Sequence, residues 1–223
     1  MQPKVPVLAR LDGQGVARPP SVAHVLGASS AGRALTTVEL RQGKPNRQAF
    51  RTQARLPMQV VLDGVRQGYN VGALFRLCDA FLCERLVICG RDGTRGTRKL
   101  VQAAQGTQRW VTWQQADNAV EVVRAARADG YQVVAVEQTS AAVGVTEFQP
   151  CYPVCLVLGS ERSGVSQAVL DLADAAVALP MRGMANSLNV ATAGAIVLHA
   201  LAVDQSRHSL AFAEMSESKG GGG

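Results

Sequence analysis

The chain has 223 residues, 47% hydrophobic and 18% charged, a balance that fits one globular domain with an extra segment and excludes a disordered chain or a coiled coil. The formal net charge is +6, and it is unevenly spread: residues 1–57 carry nine Lys or Arg against Asp12 and Glu39, a net of +7, whereas residues 58–223 hold fourteen basic and fifteen acidic residues. A basic extension of this kind fits a polyanionic partner, nucleic acid or anionic lipid, or a merely solubilising surface.

Residues 1–57 are punctuated by Gly and Pro, with weak periodicity and at most short helices at Ser21–Leu26 and Leu35–Arg41. Regular structure is predicted from Met58. MQVVLD reads as a buried strand, Asn70 to Phe81 as a helix and Arg85 to Gly90 as the next strand. A basic loop follows, with Arg91, Arg95, Arg98 and Lys99 opposed by Asp92. Asn118 to Ala128 is helical in pattern, and Gln132 to Glu137 is a strand. VCLVLG (Val154 to Gly159) is almost wholly apolar, as a parallel strand covered on both faces requires. Ser166 to Leu172 reads as a short helix, Ala175 to Pro180 as a strand and Ser187 to Val203 as a long helix. The alternation predicts an α/β domain over 58–203, with a mostly parallel sheet and helices on both faces. Residues 204–223 are expected to be a disordered tail.

No secretory leader is expected, because the first fifteen residues lack an apolar run. No membrane span is expected either, since Asn189 and His199 interrupt the most apolar stretch. Cys78, Cys83, Cys89, Cys151 and Cys155 contain no CxxC pair and read as buried, reduced thiols of a cytoplasmic protein. The histidines show no metal-ligand spacing, and no metal is expected.

Three glycine-punctuated segments follow predicted strands, where α/β sheets bind ligands. In the first, Asn70 and Gly72 open a helix and Arg76 follows; this fits a phosphate site or an ordinary capped helix with a surface arginine. In the second, Gly159 and Gly164 flank Glu161, which fits close backbone approach to a ligand or a plain strand-to-helix turn. In the third, Ser187 reads as an N-cap. Asn189 then falls inside the first turn, where a poor helix former implies a task for its side chain. Ala191, Ala193, Gly194 and Ala195 favour close packing of that helix, against the body or a second subunit. Neither a P-loop nor a GxGxxG fingerprint is present.

Taken together and in order, NVGALFR, LGSERSG and LPMRGMANSLNVA resemble the three motifs of the SpoU (TrmH) family of RNA ribose methyltransferases, within the SPOUT superfamily. The resemblance covers about residues 56–203. It implies a parallel sheet whose C-terminal part forms a deep trefoil knot, a rare exception to ordinary chain connectivity. It also implies S-adenosylmethionine bound in the knot loops, a homodimer with its active site near the subunit interface, and methylation of a ribose 2′-hydroxyl in tRNA or rRNA. On the matching positions, Gly159, Leu179, Leu188 and Asn189 would hold the cofactor. Asn70, Arg76, Glu161, Ser187 and Asn189 would form the catalytic polar set. Ala191 stands where a serine is common, Cys83 lies near the position of a usual glycine, and the basic loop lacks the usual proline; no motif polar residue is lost.

A guanidinium, with a pKa above about 12, is a poor literal base. Arg76 is therefore expected to bind the adjacent phosphate and stabilise the developing alkoxide. The basic extension would track RNA phosphates. The alternatives are a non-catalytic RNA-binding protein of the same fold, or a knotted methyltransferase acting on a base.

Overall fold

The computed structural model describes residues 33–42, 44–90 and 97–220. The chain divides between Gln53 and Ala54 into two units, a few residues ahead of the boundary at 57 expected from composition. The predicted helix at 21–26, Arg91 and Arg95 lie outside the described residues.

The first unit contains helices α1 (Thr37–Gln42) and α2 (Arg47–Thr52). Before α1, the Glu39 carboxylate accepts from the Thr36 amide at 2.8 Å while the Glu39 amide donates to Thr36 Oγ1 at 3.3 Å, a reciprocal cap. Arg33 pairs with the same carboxylate and holds it down to about 2. Asn46 caps α2 through the Ala49 amide at 2.9 Å; this helix was not anticipated from the sequence.

In the second unit, β1 (Leu56–Asp63), β2 (Cys83–Cys89), β3 (Trp113–Ala116), β4 (Gln132–Val136), β5 (Val143–Gly144), β6 (Val154–Gly159) and β7 (Ala175–Ala178) form one sheet. Its order is β3-β2-β1-β6-β4-β7-β5, and every neighbouring pair is parallel. The helices are α3 (Gly68–Ala80), α4 (Arg98–Ala104), α5 (Ala119–Ala128), α6 (Gln167–Leu170) and α7 (Val190–Gly220). Strand alternation divides the core. Val60 and Leu62 of β1 pack with Leu74, Phe75 and Leu198 from α3 and α7. Val61 packs on the other face with Val123, Ala126 and Val169 from α5 and α6. Both faces of the sheet are thus covered, as the apolar strands predict.

The register places Asp63, Cys89 and Gly159 side by side at the carboxyl ends of β1, β2 and β6. Two glycines set how closely the helices approach. A Cβ on Gly72 would lie 2.5 Å from the Leu100 carbonyl oxygen, so α3 and α4 meet backbone to backbone there. A Cβ on Gly194 would meet Leu74 and Leu158 at 3.0 and 3.1 Å. The small residues of α7 are therefore read, at Gly194, as packing against the body.

The structure corrects the sequence reading in several places. The helix α7 begins at Val190, not Ser187, and Asn189 is its N-cap, with Oδ1 accepting from the Ala191 amide at 2.9 Å. It also continues to Gly220, where a tail without regular structure was expected after Asp204. No Gly or Pro interrupts residues 195–219, so nothing in the chain stops the helix earlier. Arg98 and Lys99 are not loop residues: they open α4, which Thr97 caps through the Leu100 amide at 3.3 Å. Cys151 is exposed, against the expectation that all five thiols are buried. The other four are buried, and burial pushes Cys89 and Cys155 up to about 12. Among the described residues, no helix is long and apolar enough to cross a membrane.

Candidate active site

At the carboxyl ends of β4, β6 and β7 lies a cavity of about 600 Å³, where ligands of parallel sheets are held. One wall is the turn that follows β6. Ser160 and Gly164 exchange two backbone hydrogen bonds of 3.0 Å. Inside the turn the Ser160 and Ser163 hydroxyls meet at 2.7 Å. Gly164 has φ of +65°, which admits glycine at little cost. A Cβ on Gly159 would fall 2.0 Å from the Gly164 carbonyl carbon and 2.1 Å from the Val165 nitrogen. The turn thus folds directly onto the strand end, where backbone contact requires Gly159, while the positive φ and the Glu137 carboxylate require Gly164.

The opposite wall is the segment before α7. Leu179, Ser187, Leu188 and Asn189 line the cavity, as does Gly159. All four positions expected to hold a cofactor therefore border one space. Leu158 and Val136 add apolar surface from the sheet.

One polar residue from each of the three motif segments meets the others at the edge of this cavity. Asn70 is only 2% exposed. Its Nδ2 donates to Glu161 Oε1 at 2.6 Å, and its Oδ1 accepts from Asn189 Nδ2 at 3.0 Å. The residues joined are 91 and 119 positions apart in the chain. A bond from a buried amide to a carboxylate contributes about 1.5–3 kcal/mol. Asn189 is doubly engaged, since its Oδ1 caps α7 while its Nδ2 reaches Asn70. The task expected of Asn189 rests on a place inside the first turn; the residue sits instead at the cap, where its side chain both caps α7 and reaches Asn70. Asn70 also differs from expectation: α3 starts at Gly68, so Asn70 is its third residue and faces inward. Its amide bridges the other two motifs, and Gly72 serves helix packing, which leaves little of the phosphate-binding reading for this helix start.

Arg76 is not brought to this cluster. It is exposed on α3 and is absent from the cavity lining. Six residues at about 100° each turn it roughly 120° away from Asn70 around the helix. No hydrogen bond or ion pair joins it to a described side chain. Glu137, Gln138, Gln67 and Arg162 also line the cavity and were not anticipated. For Glu137, the available signal was its place immediately beyond the carboxyl end of a strand.

The parallel seven-stranded sheet with a cavity at its strand ends is the fold of solved SpoU methyltransferases. The structure superposes on the Aquifex aeolicus TrmH/SpoU tRNA modifying enzyme with a TM-score of 0.67 and 28% identity, covering 73% of this chain and 82% of that one. It superposes on the SpoU methyltransferase AviRb from Streptomyces viridochromogenes with a TM-score of 0.61 and 27% identity, covering 74% and 66%. The chain belongs to the SpoU rRNA Methylase family, whose sequence profile matches residues 57–199. Similar proteins include the tRNA (guanosine(18)-2′-O)-methyltransferases of Aquifex aeolicus, 33% identical over 141 residues, and of Escherichia coli K12, 32% identical over 142 residues. These matches cover 63% and 64% of this chain, which spans 66% and 61% of the relatives' lengths.

Proposed function

We propose that this protein is an RNA 2′-O-ribose methyltransferase that uses S-adenosylmethionine and acts on tRNA or rRNA. The observation that carries this reading is the meeting of Asn70, Glu161 and Asn189 at the rim of a glycine-walled cavity. The relatives named for methylation of a tRNA ribose support it, as does the AviRb structure solved with AdoMet.

The residues present fit the cofactor. A cavity of about 600 Å³ has room for it, and Leu158, Leu179 and Leu188 supply apolar contact beside the close-packed turn of Gly159 and Gly164. When bound, the cofactor supplies an electrophilic methyl group. The chain's own task is to fix a weak nucleophile, a ribose hydroxyl, in line with that methyl and to stabilise the negative charge it develops. Asn70 acts as a positioning residue, holding Glu161 and Asn189 in place. Ser187, exposed and lining the cavity, would contact the ribose in this reading. Arg76 is free to bind an RNA phosphate and stabilise the developing alkoxide, a role that requires no proton loss from the guanidinium.

The strand order, with β6 inserted between β1 and β4, supports a C-terminal knot. Exposed Tyr69 on α3 and Ile196 on α7, with residues 182–189 exposed throughout, support a homodimer that covers the cavity edge. Cytoplasmic residence and an RNA-binding role for residues 1–57 belong to the same reading, with Arg98 and Lys99 as a further phosphate contact.

Nucleoside mass spectrometry after incubating tRNA or rRNA with the protein and labelled cofactor tests the reaction. A labelled 2′-O-methyl nucleoside is expected; a base-methylated nucleoside, or no label in either RNA, would refute it. RNA affinity should also fall steeply with salt. If five phosphates are contacted, the log–log slope approaches about −3.5 to −4.5, and deletion of residues 1–50 should flatten it. A slope unchanged by the deletion would remove the extension from the RNA contact.

A further inference from the structure

Two residues outside the three motif segments tie the walls of the cavity together. Glu137 follows β4, and its backbone amide donates to the Val177 carbonyl of β7 at 3.1 Å, which anchors it to the sheet. Its carboxylate turns toward the loop after β6: Oε2 accepts from the Val165 amide at 2.9 Å, and Oε1 accepts from the Gln138 amide at 2.9 Å. The fit is close, since a Cβ on Gly164 would lie 2.0 Å from Glu137 Oε2. Gln138 reaches the other way, its Nε2 donating to the Asn186 carbonyl in the segment before α7. Both residues line the cavity.

We propose that Glu137 and Gln138 are positioning residues that brace the loop at 160–166 against the segment at 181–189, and so set the affinity for the adenosyl cofactor. The inference rests on the reading of this cavity as the cofactor site. A carboxylate accepting from a backbone amide is a charge-assisted bond and holds a loop more firmly than a neutral contact. With the brace in place, the two walls are ordered before a ligand arrives. Without it, each wall pays its ordering entropy at binding, which weakens affinity without altering a reacting group.

The test uses the full chain and S-adenosylhomocysteine as the probe. Titration calorimetry is expected to show Glu137→Ala weakening binding by about tenfold or more, with Glu137→Gln recovering part of the loss because it keeps one acceptor. Gln138→Ala should weaken it by a smaller factor. Hydrogen exchange of the ligand-free protein should speed up at the Val165 amide and across 160–166 in Glu137→Ala. At saturating cofactor kcat should hold while the cofactor KM rises. Wild-type affinity in Glu137→Ala, with a normal melting temperature, would overturn the proposal. Should Glu137→Ala fail to fold, Gln138→Ala decides, because Gln138 is exposed and its loss leaves the core intact; an unchanged affinity there would overturn it. If the wild-type protein itself does not bind the probe, the cofactor reading fails, and wild-type exchange at Val165 in Glu137→Ala would then refute the brace on its own.

Discussion

Arg76→Ala should reduce methyl transfer by about 10²–10³ in kcat, the usual loss when one donor to a developing oxyanion is removed, while the dissociation constant for S-adenosylhomocysteine stays near that of the wild type. Both halves of the expectation come from the placement of this side chain. Arg76 is exposed, lies outside the cavity lining and is joined to no described side chain, so its truncation removes nothing from the core or from the cofactor walls. Asn70, Glu161 and Asn189 keep their mutual bonds without it. Arg76→Lys should recover only part of the activity, since an ammonium keeps the charge and loses the planar fork that matches a phosphate. Single-turnover kinetics beside calorimetry separates the outcomes. An equal loss of transfer and affinity would place Arg76 in the cofactor site, and full activity would remove it from the chemistry.

Gly159→Ala should be the most damaging single-methyl change in the cavity. The added Cβ would lie 2.0, 2.1 and 2.4 Å from the Gly164 carbon, the Val165 nitrogen and the Gly164 oxygen. These are backbone atoms, and they cannot retreat without opening the Ser160–Gly164 pair or the Val165–Glu137 bond. Overpacking of this kind costs about 1–3 kcal/mol. For a chain of this size each kcal/mol lowers the melting temperature by roughly 2–4 °C. A fall of several degrees is expected, with cofactor binding weakened by about 100-fold because the displaced turn is itself a wall of the site. Gly183→Ala is the matched control: nothing lies within 4 Å of its added Cβ. Scanning calorimetry and ligand titration of the two variants should diverge sharply, and equal behaviour would show that the turn yields easily.

The layered α/β plan was legible because each central strand carries its own signal. VCLVLG is buried at all six positions, and its shortness between Pro153 and Gly159 favours a strand over a buried helix. The edge was less legible. β3 is WQQA, with its two glutamines exposed, and β5 has two residues, so neither carries an apolar pattern. Ser187 and Asn189 are both good caps, and local preference could not rank them; the Asn70 amide, 119 positions away, helps to hold Asn189 at the helix start. Motif order singled out Asn70, Glu161 and Asn189, yet that these side chains touch depends on strand order. Glu137 escaped notice because its partners are peptide amides, which have no residue type to read.

The insertion of β6 between β1 and β4 also bears on how quickly the protein becomes competent. Met58 pairs with Val154, and Gln132 pairs with the same Val154, so the centre of the sheet closes only after much of the chain has been made. Contacts of such long sequence separation pay loop-closure entropy before any reward, and they slow folding. The cavity is built on this late junction, with Gly159 at the end of β6 and Asn189 further along still. A nascent chain would therefore have its basic first 57 residues made well before the cavity at the centre of the sheet is complete.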